Sequence, residues 1–192
     1  MSTQHVRPAR ADDFAAIASI CNHYIANTTI HFGADAVTAE QLRDEWRGDA
    51  HRFPWWVAIS DDHVVGYAKA GTFRARAAYR WTVETGIYMA PDCVGRGLGT
   101  PLYVRLLDTL RSQGYRAAIG GITLPNPGSI RLHERLGFTH EGTLRAIGFK
   151  HGRWIDVGFW RLGLASDQSA PGEIRSPAAV YAAAGIDAAG VD

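Results

Sequence analysis

The chain reads as an α/β protein built on one mixed sheet flanked by helices. Short β-rich runs outnumber the helical segments, and two of them, at 55–59 and 64–73, are joined by Ser60-Asp61-Asp62-His63, a connection too short for a crossover helix. A further β-rich run at 81–89 passes through a glycine-rich loop directly into a helix with leucine periodicity. Strands therefore exceed the alternating βαβ units that a doubly wound dinucleotide fold requires.

Each element has its own signal. A short strand is expected near His5 to Arg7, followed by a helix that Asp12 or Asp13 can cap and whose Phe14, Ile17, Ile20 and Tyr24 share one face. Thr38 and Gln41 make a capping box for a second helix that runs through Trp46 and stops at Gly48. After the two hairpin strands and the run at 81–89, Leu98, Leu102, Leu106 and Leu110 recur every fourth residue, and that helix ends near Gln113-Gly114. A strand is expected at 115–122, and then a brief helix at 129–136, stopped by Gly137. The closing strands are read at 138–144, at Phe149-Lys150 and at 154–162, with a tight turn at His151-Gly152.

With 192 residues, 46% hydrophobic content and six tryptophans, the chain suffices for one good core, assigned to residues 1–165. Residues 166–192 are rich in Ala, Gly, Pro and Ser and read as a flexible tail, with a possible helical turn in the alanine-rich stretch at 178–184. A formal net charge of +1 offers no global field for nucleic acid or an anionic membrane, so any anion must be met by local clusters. The two cysteines form no C-x-x-C pair, there is no long apolar run and no signal-peptide pattern, and the expected compartment is the cytoplasm. The eight histidines contain no H-E-x-x-H or comparable ligand spacing, so no metal is expected.

The loop Cys93-Val94-Gly95-Arg96-Gly97-Leu98-Gly99-Thr100 has the composition of an anion cradle: glycine lets backbone N–H groups turn toward a phosphate, and the helix start adds its positive dipole end. Thr100-Pro101 in place of Gly-Lys-Ser/Thr disfavours a nucleoside triphosphate. Tyr115 and Arg116, where a dinucleotide site would want an acid, disfavour NAD. Three glycines would also serve a plain strand-to-helix turn.

The wider pattern resembles the GNAT acetyltransferases, in particular their phosphinothricin N-acetyltransferase branch. The resemblance spans roughly residues 6–162. It is carried by Asn22-His23-Tyr24-Ile25, Arg74-Ala75-Arg76 with Ala78-Tyr79, Trp81-Thr82-Val83-Glu84, Gly97-Leu98-Gly99, Leu124-Pro125-Asn126, Leu144-Arg145-Ala146, Gly148-Phe149-Lys150-His151-Gly152 and Asp156-Val157-Gly158-Phe159-Trp160.

The resemblance implies a GNAT-type, mostly antiparallel central sheet with helices on both faces, and acetyl-CoA as co-substrate. Its pantetheine arm would pair with the backbone of Ile87, Tyr88 and Met89, its pyrophosphate would lie on Gly95, Arg96, Gly97, Leu98, Gly99 and Thr100, and Asn126 would hold the arm near the thioester. Val94 stands where the family usually carries Gln or Arg. The acceptor would be phosphinothricin or a similar small amino acid analogue, acetylated by direct transfer in a ternary complex, an activity of antibiotic detoxification and herbicide resistance. Phe32, Arg74, Arg76, Tyr79 and Val157 would bind that acceptor, and the protein would be a homodimer. Methionine sulfone, methionine sulfoximine or other small amino acids are the nearest alternatives. A protein N-terminal acetyltransferase and a non-enzymatic acyl-CoA sensor are remoter ones.

Amide formation from a thioester needs a neutral amine, so a base is expected, and Glu84 in an otherwise apolar strand is the candidate. A carboxylate on a solvated strand face, paired with Arg76 or Arg80, is the competing reading. His133 falls seven residues after Asn126 and four after Ser129, on one face of the short helix, and is the second catalytic candidate, as proton relay or as acid to the thiolate. A lone helix histidine can equally be structural.

Overall fold

The computed structural model describes residues 4–166 and 170–188. Its elements are β1 (Gln4–Pro8), α1 (Phe14–Asn27), α2 (Ala39–Asp49), β2 (Trp55–Ser60), β3 (His63–Thr72), β4 (Thr82–Met89), α3 (Gly99–Gln113), β5 (Ala117–Thr123), α4 (Pro127–Arg135), β6 (Thr139–Lys150), β7 (Arg153–Gly163) and α5 (Pro177–Ala183). The strands form one seven-stranded sheet in the order β1-β2-β3-β4-β5-β7-β6. Among the described residues β4–β5 is its one parallel pairing.

Local chemistry explains the tight connections. Asp61 and Asp62 both take positive φ (48° and 62°), as do His151 (48°) and Gly152 (74°), so both hairpins close through the mirror-image two-residue turns that match strand twist. Thr38 and Gln41 form the expected reciprocal cap on α2, at 3.1 and 2.8 Å. Asp13 differs from its expected role. Its side chain makes no bond to α1; it holds the Arg7 guanidinium at 2.7 and 2.8 Å and accepts the Arg10 N–H at 2.7 Å, fixing the approach to α1 from strand β1.

Alternation along the strands loads both faces of the sheet. Trp56, Ala58, Ala68, Val83, Ala118 and Trp160 point toward α3, whose Leu102, Leu106 and Leu110 are fully buried; burying one such leucine is worth about 1.5–3 kcal/mol. Trp55, Val57, Ile59 and Tyr67 point the other way, onto Phe14, Ile17 and Trp46 of α1 and α2. Helix α1 packs on β3 and β4.

The reading of 166–192 as a tail without core residues is corrected for its described part. Val180 and Tyr181 of α5 are buried, the Tyr181 ring meets Trp56 edge-on at 5.6 Å, and Gln113 Nε2 donates to the Arg175 carbonyl at 2.8 Å. A tyrosine among alanines supplies the apolar area that composition alone hides. Residues 167–169 and 189–192 lie outside the described residues.

Candidate active site

The site forms where the sheet divides. Strands β4 and β5 pair over only three positions, Thr82↔Ala117, Val83↔Ala118 and Glu84↔Ile119, while β4 stays paired with β3 as far as Met89↔Gly66. Beyond Glu84 the β5 side of β4 is thus a strand edge with no ladder partner in β5, and it carries Ile87, Tyr88 and Met89. The Met89 carbonyl accepts from the Tyr24 hydroxyl at 2.7 Å, which ties this edge to α1.

Strand β4 then runs into the glycine loop. Gly95 and Gly97 take φ of +80° and +87°, and a Cβ at either would meet only open space, so these glycines answer backbone conformation and not crowding. Helix α3 has no side-chain cap, whereas α2, α4 and α5 are capped by Thr38, Asn126 and Ser176. An uncapped helix start behind two left-handed glycines is a donor-rich place for an anion. Leu98, buried, anchors the loop to the core, and Val94 is exposed.

On the α1 side of the division lies a cleft of about 360 Å³, walled by Ile30, His31, Phe32, Tyr88, Ile147, Val157 and Phe159, with Glu84, Gly121 and Thr123 in its lining. Burial pushes the Glu84 carboxyl above its ordinary 4.5, against the pull of Lys69, whose ammonium is held by Glu45 at 2.6 Å. Ile147 reaches this cleft because β6 bulges. Between the pairs Leu144↔Val157 and Gly148↔Ile155, three residues of β6 face one of β7, Ala146 takes φ of +52°, and its N–H is held by Asp156 Oδ1 at 2.8 Å.

His133 lies on the other face. It is 3% exposed, and its Nδ1 donates to the Ser129 carbonyl at 2.8 Å, a partner that can only accept. Burial lowers its pKa, so Nε2 of the neutral ring accepts from Tyr103 Oη at 3.0 Å, and Tyr103 in turn takes the Thr85 hydroxyl at 2.7 Å. Asn126, Ser129 and His133 do come together as their spacing predicts, with Asn126 Oδ1 accepting the Ser129 N–H at 3.2 Å. Glu84 and His133, however, share no face of the sheet.

Two glycines that sequence reasoning passed over make this division possible. A Cβ on Gly120 would sit 2.6 Å from His133 Nε2, and one on Gly121 would sit 3.3 Å from Glu84 Oε1. Adjacent glycines inside a strand were the available signal, because such positions mark close approach by another group. The arginine loop is also set apart. Arg74, Arg76 and Tyr79 line a second pocket of about 270 Å³ with Arg52 and Arg80, whereas Phe32 and Val157 belong to the Glu84 cleft. Arg74 lies over the rings of Phe73 and Tyr79 at 5.3 and 5.6 Å. Cys93 is buried, and its thiol is pushed up by burial and by Asp92.

A mixed sheet that opens beside a carboxylate in a cleft and feeds a glycine cradle at a helix start is the architecture of an acyltransferase. Residues 17–138 match the Acetyltransferase (GNAT) family. The phosphinothricin N-acetyltransferase of Streptomyces viridochromogenes is 46% identical over 81% of this chain and 85% of its own length. The L-methionine sulfoximine/L-methionine sulfone acetyltransferase of Salmonella typhimurium is 36% identical over 86% of this chain and 97% of its own. The crystal structure of a GNAT superfamily phosphinothricin acetyltransferase from Sinorhizobium meliloti in complex with AcCoA superposes with a TM-score of 0.85 at 33% identity, covering 91% of this chain and 96% of that one. The chain belongs to the GNAT acetyltransferase family, in its phosphinothricin N-acetyltransferase branch.

Proposed function

We propose that the chain acetylates the amino group of phosphinothricin or a similar small amino acid analogue, with acetyl-CoA as donor and by direct transfer in a ternary complex. The observation that carries this reading is the Glu84 carboxylate, raised in pKa and lining the cleft where β4 parts from β5. Ionised, it takes a proton from the acceptor's ammonium. The nitrogen lone pair then attacks the thioester carbonyl, and as the C–S bond breaks the nitrogen's second proton passes to the departing thiolate, giving the amide and CoA thiol. The backbone edge at Ile87, Tyr88 and Met89, the amides of Gly95 to Thr100 and the side chain of Asn126 are the groups that would hold the donor. The open space at Gly95 and Gly97 and the uncapped start of α3 fit a diphosphate there. A buried Cys93 with a raised thiol pKa fits direct transfer better than an acyl-cysteine intermediate.

For His133 the geometry favours the relay over the acid. A neutral ring whose Nδ1 proton is committed to Ser129 has no proton to give at Nε2, and any relay through that nitrogen runs by way of the Tyr103 hydroxyl bonded to it. Arg74, Arg76 and Tyr79 would receive an anionic tail in the loop that joins β3 to β4 beyond Thr72↔Val83, while Phe32 and Val157 flank the reacting end. A second acceptor class is favoured by the cleft itself. Its aliphatic and aromatic walls suit the sulfone or sulfoximine of a methionine analogue at least as well as a phosphinate. In the closing strands from Phe149 to Trp160, the exposed Phe149 and Trp154, whose rings meet at 5.3 Å, are an apolar patch suited to a homodimer; a monomeric mass by light scattering at micromolar concentration would reject that assembly.

The deciding experiment is a panel of amine acceptors, with free CoA measured as acetyl-CoA is consumed. We expect kcat/KM for phosphinothricin or methionine sulfone to exceed that for unmodified amino acids. Equal values reject the specific assignment, and absence of CoA release with every acceptor rejects the function.

A further inference from the structure

The motif Gly148-Phe149-Lys150-His151-Gly152 takes no part in the chemistry above, yet its residues reach across the fold to a wall of the cleft. Lys150 Nζ, at the end of β6, donates to two carbonyls, Ile25 O and His31 O, each at 2.6 Å. Ile25 belongs to the last turn of α1, where carbonyls lack helical partners and a cation is favoured. Thr28 and Asn27 bind the neighbouring carbonyls of Tyr24 and His23, at 2.8 and 3.0 Å, but both lie on α1 or just beyond it. Lys150 comes from the far edge of the sheet. It joins the end of α1, the segment 28–33 and the β6–β7 hairpin through one charged group.

That segment carries Ile30, His31, Phe32 and Gly33, all of which line the cleft, whereas Lys150 does not. The Phe32 ring lies so close over Gly148 that a Cβ there would fall 2.3 Å from its Cζ. Arg153 adds a longer contact to Thr29 Oγ1 at 3.5 Å. Two features of one hairpin, a cation and a missing side chain, thus seat the same short segment.

We propose that Lys150 is a positioning residue for acceptor selection, fixing the carbonyls of Ile25 and His31 so that Phe32 closes one side of the cleft against Gly148. The role rests on the acetyltransferase reading for its kinetic consequence and on geometry alone for its structural one. A charge-assisted bond to each carbonyl holds the wall in place, and removing the ammonium frees it while the donor cradle, built from β4 and the loop before α3, stays as it was.

The test is Lys150→Met, with Lys150→Arg as the conservative variant. Lys150→Met should raise the acceptor KM roughly tenfold with kcat within about threefold, and leave the acetyl-CoA dissociation constant and Tm near those of the parent. Lys150→Arg should recover most of the acceptor KM, because a guanidinium can also serve two carbonyls. Backbone amides of residues 28–33 should exchange faster in Lys150→Met. An unchanged acceptor KM overturns the proposal, as does a rise matched by an equal loss of acetyl-CoA affinity, which would mark a general structural defect. Should Lys150→Met not fold, Gly148→Ala decides, since its methyl must displace the Phe32 ring; an unaltered acceptor KM there also overturns it. If the parent protein turns over no acceptor at all, the functional reading falls separately. Hydrogen exchange of residues 28–33 then decides, with equal protection in parent and variant counting against the seat.

Discussion

Gly120 and Gly121 are neighbours on β5, yet they face different worlds. Gly120 faces a buried region where His133, Tyr103 and Thr85 form a hydrogen-bonded chain; Gly121 opens onto an accessible cleft in which the Glu84 carboxyl is raised by burial. A strand alternates sides with each residue, so two successive glycines admit one bulky group from each face. The difference teaches how a single sheet can keep a buried polar network behind it and an accessible carboxyl in front. On the network side each of these polar groups has a hydrogen-bond partner. Among the described residues the cleft side gives its acid no hydrogen-bond partner, which suits the proton transfer proposed for it.

The comparison can be broken most severely at the acid. Glu84→Gln should lower kcat by about 10²–10³-fold, the usual worth of a general base, while acetyl-CoA binding by titration calorimetry stays near the parent value. The same variant carries a pH signature. The base must be ionised to work, so in the parent kcat/KM for the acceptor should fall as pH drops through a Glu84 pKa above the ordinary 4.5, and that limb should vanish in Glu84→Gln. The fold favours the protonated carboxyl, so its ionised form costs stability at neutral pH and the cost disappears as pH falls through the raised pKa. Glu84→Gln should therefore leave Tm at pH 7 unchanged or slightly raised, the effect being small because Glu84 is exposed, even as it removes activity.

On the network side, effects should appear in stability before rate. Gly120→Ala puts a methyl 2.6 Å from His133 Nε2 in a packed interior, and a loss of about 1–3 kcal/mol by denaturant titration is expected. Tyr103→Phe strips the fully buried hydroxyl between Thr85 and His133, leaving Nε2 without its donor, at a cost of about 1–3 kcal/mol. A relay would also move the pH profile of kcat in this variant; a purely structural network would leave it fixed. The smallest effect is expected at Gly121→Ala. Its methyl would stand 3.3 Å from Glu84 Oε1, a tight contact that a carboxylate on an open cleft can relieve, so a few-fold fall in kcat/KM and little change in Tm should follow. A larger stability loss at Gly121 than at Gly120 would reverse the assignment of the two faces.

Much of the molecule was legible in its residues, for reasons that differ by element. The α3 helix and its glycine stop at Gly114 follow from strict leucine spacing, and the α2 cap from Thr38 and Gln41, since both signals are local. The parallel β4–β5 contact and its end after Glu84 are long-range facts that no window contains, and the resemblance implied no more than a mostly antiparallel sheet. The β6 strand was read as two pieces because its bulge at 145–147 interrupts alternation, and the bulge proves to be what delivers Ile147 to the cleft. His133 was found by spacing, but which side of the sheet it occupies depends on Gly120, a residue with no side chain to attract notice. Arg74 and Arg76, expected from the resemblance to bind the acceptor, line a pocket of other residues than those around Glu84.

The alanine-rich segment that ends in α5 has a practical bearing. Tyr181 covers Trp56, the Gly172 carbonyl takes the Trp81 indole N–H at 3.0 Å, and Asp187 reaches Arg10 at the same distance. Trimming the chain to the length shared with shorter relatives would strip this wrapping from two tryptophans, so an engineer seeking a minimal catalyst should expect clumping and poor yield of purified protein.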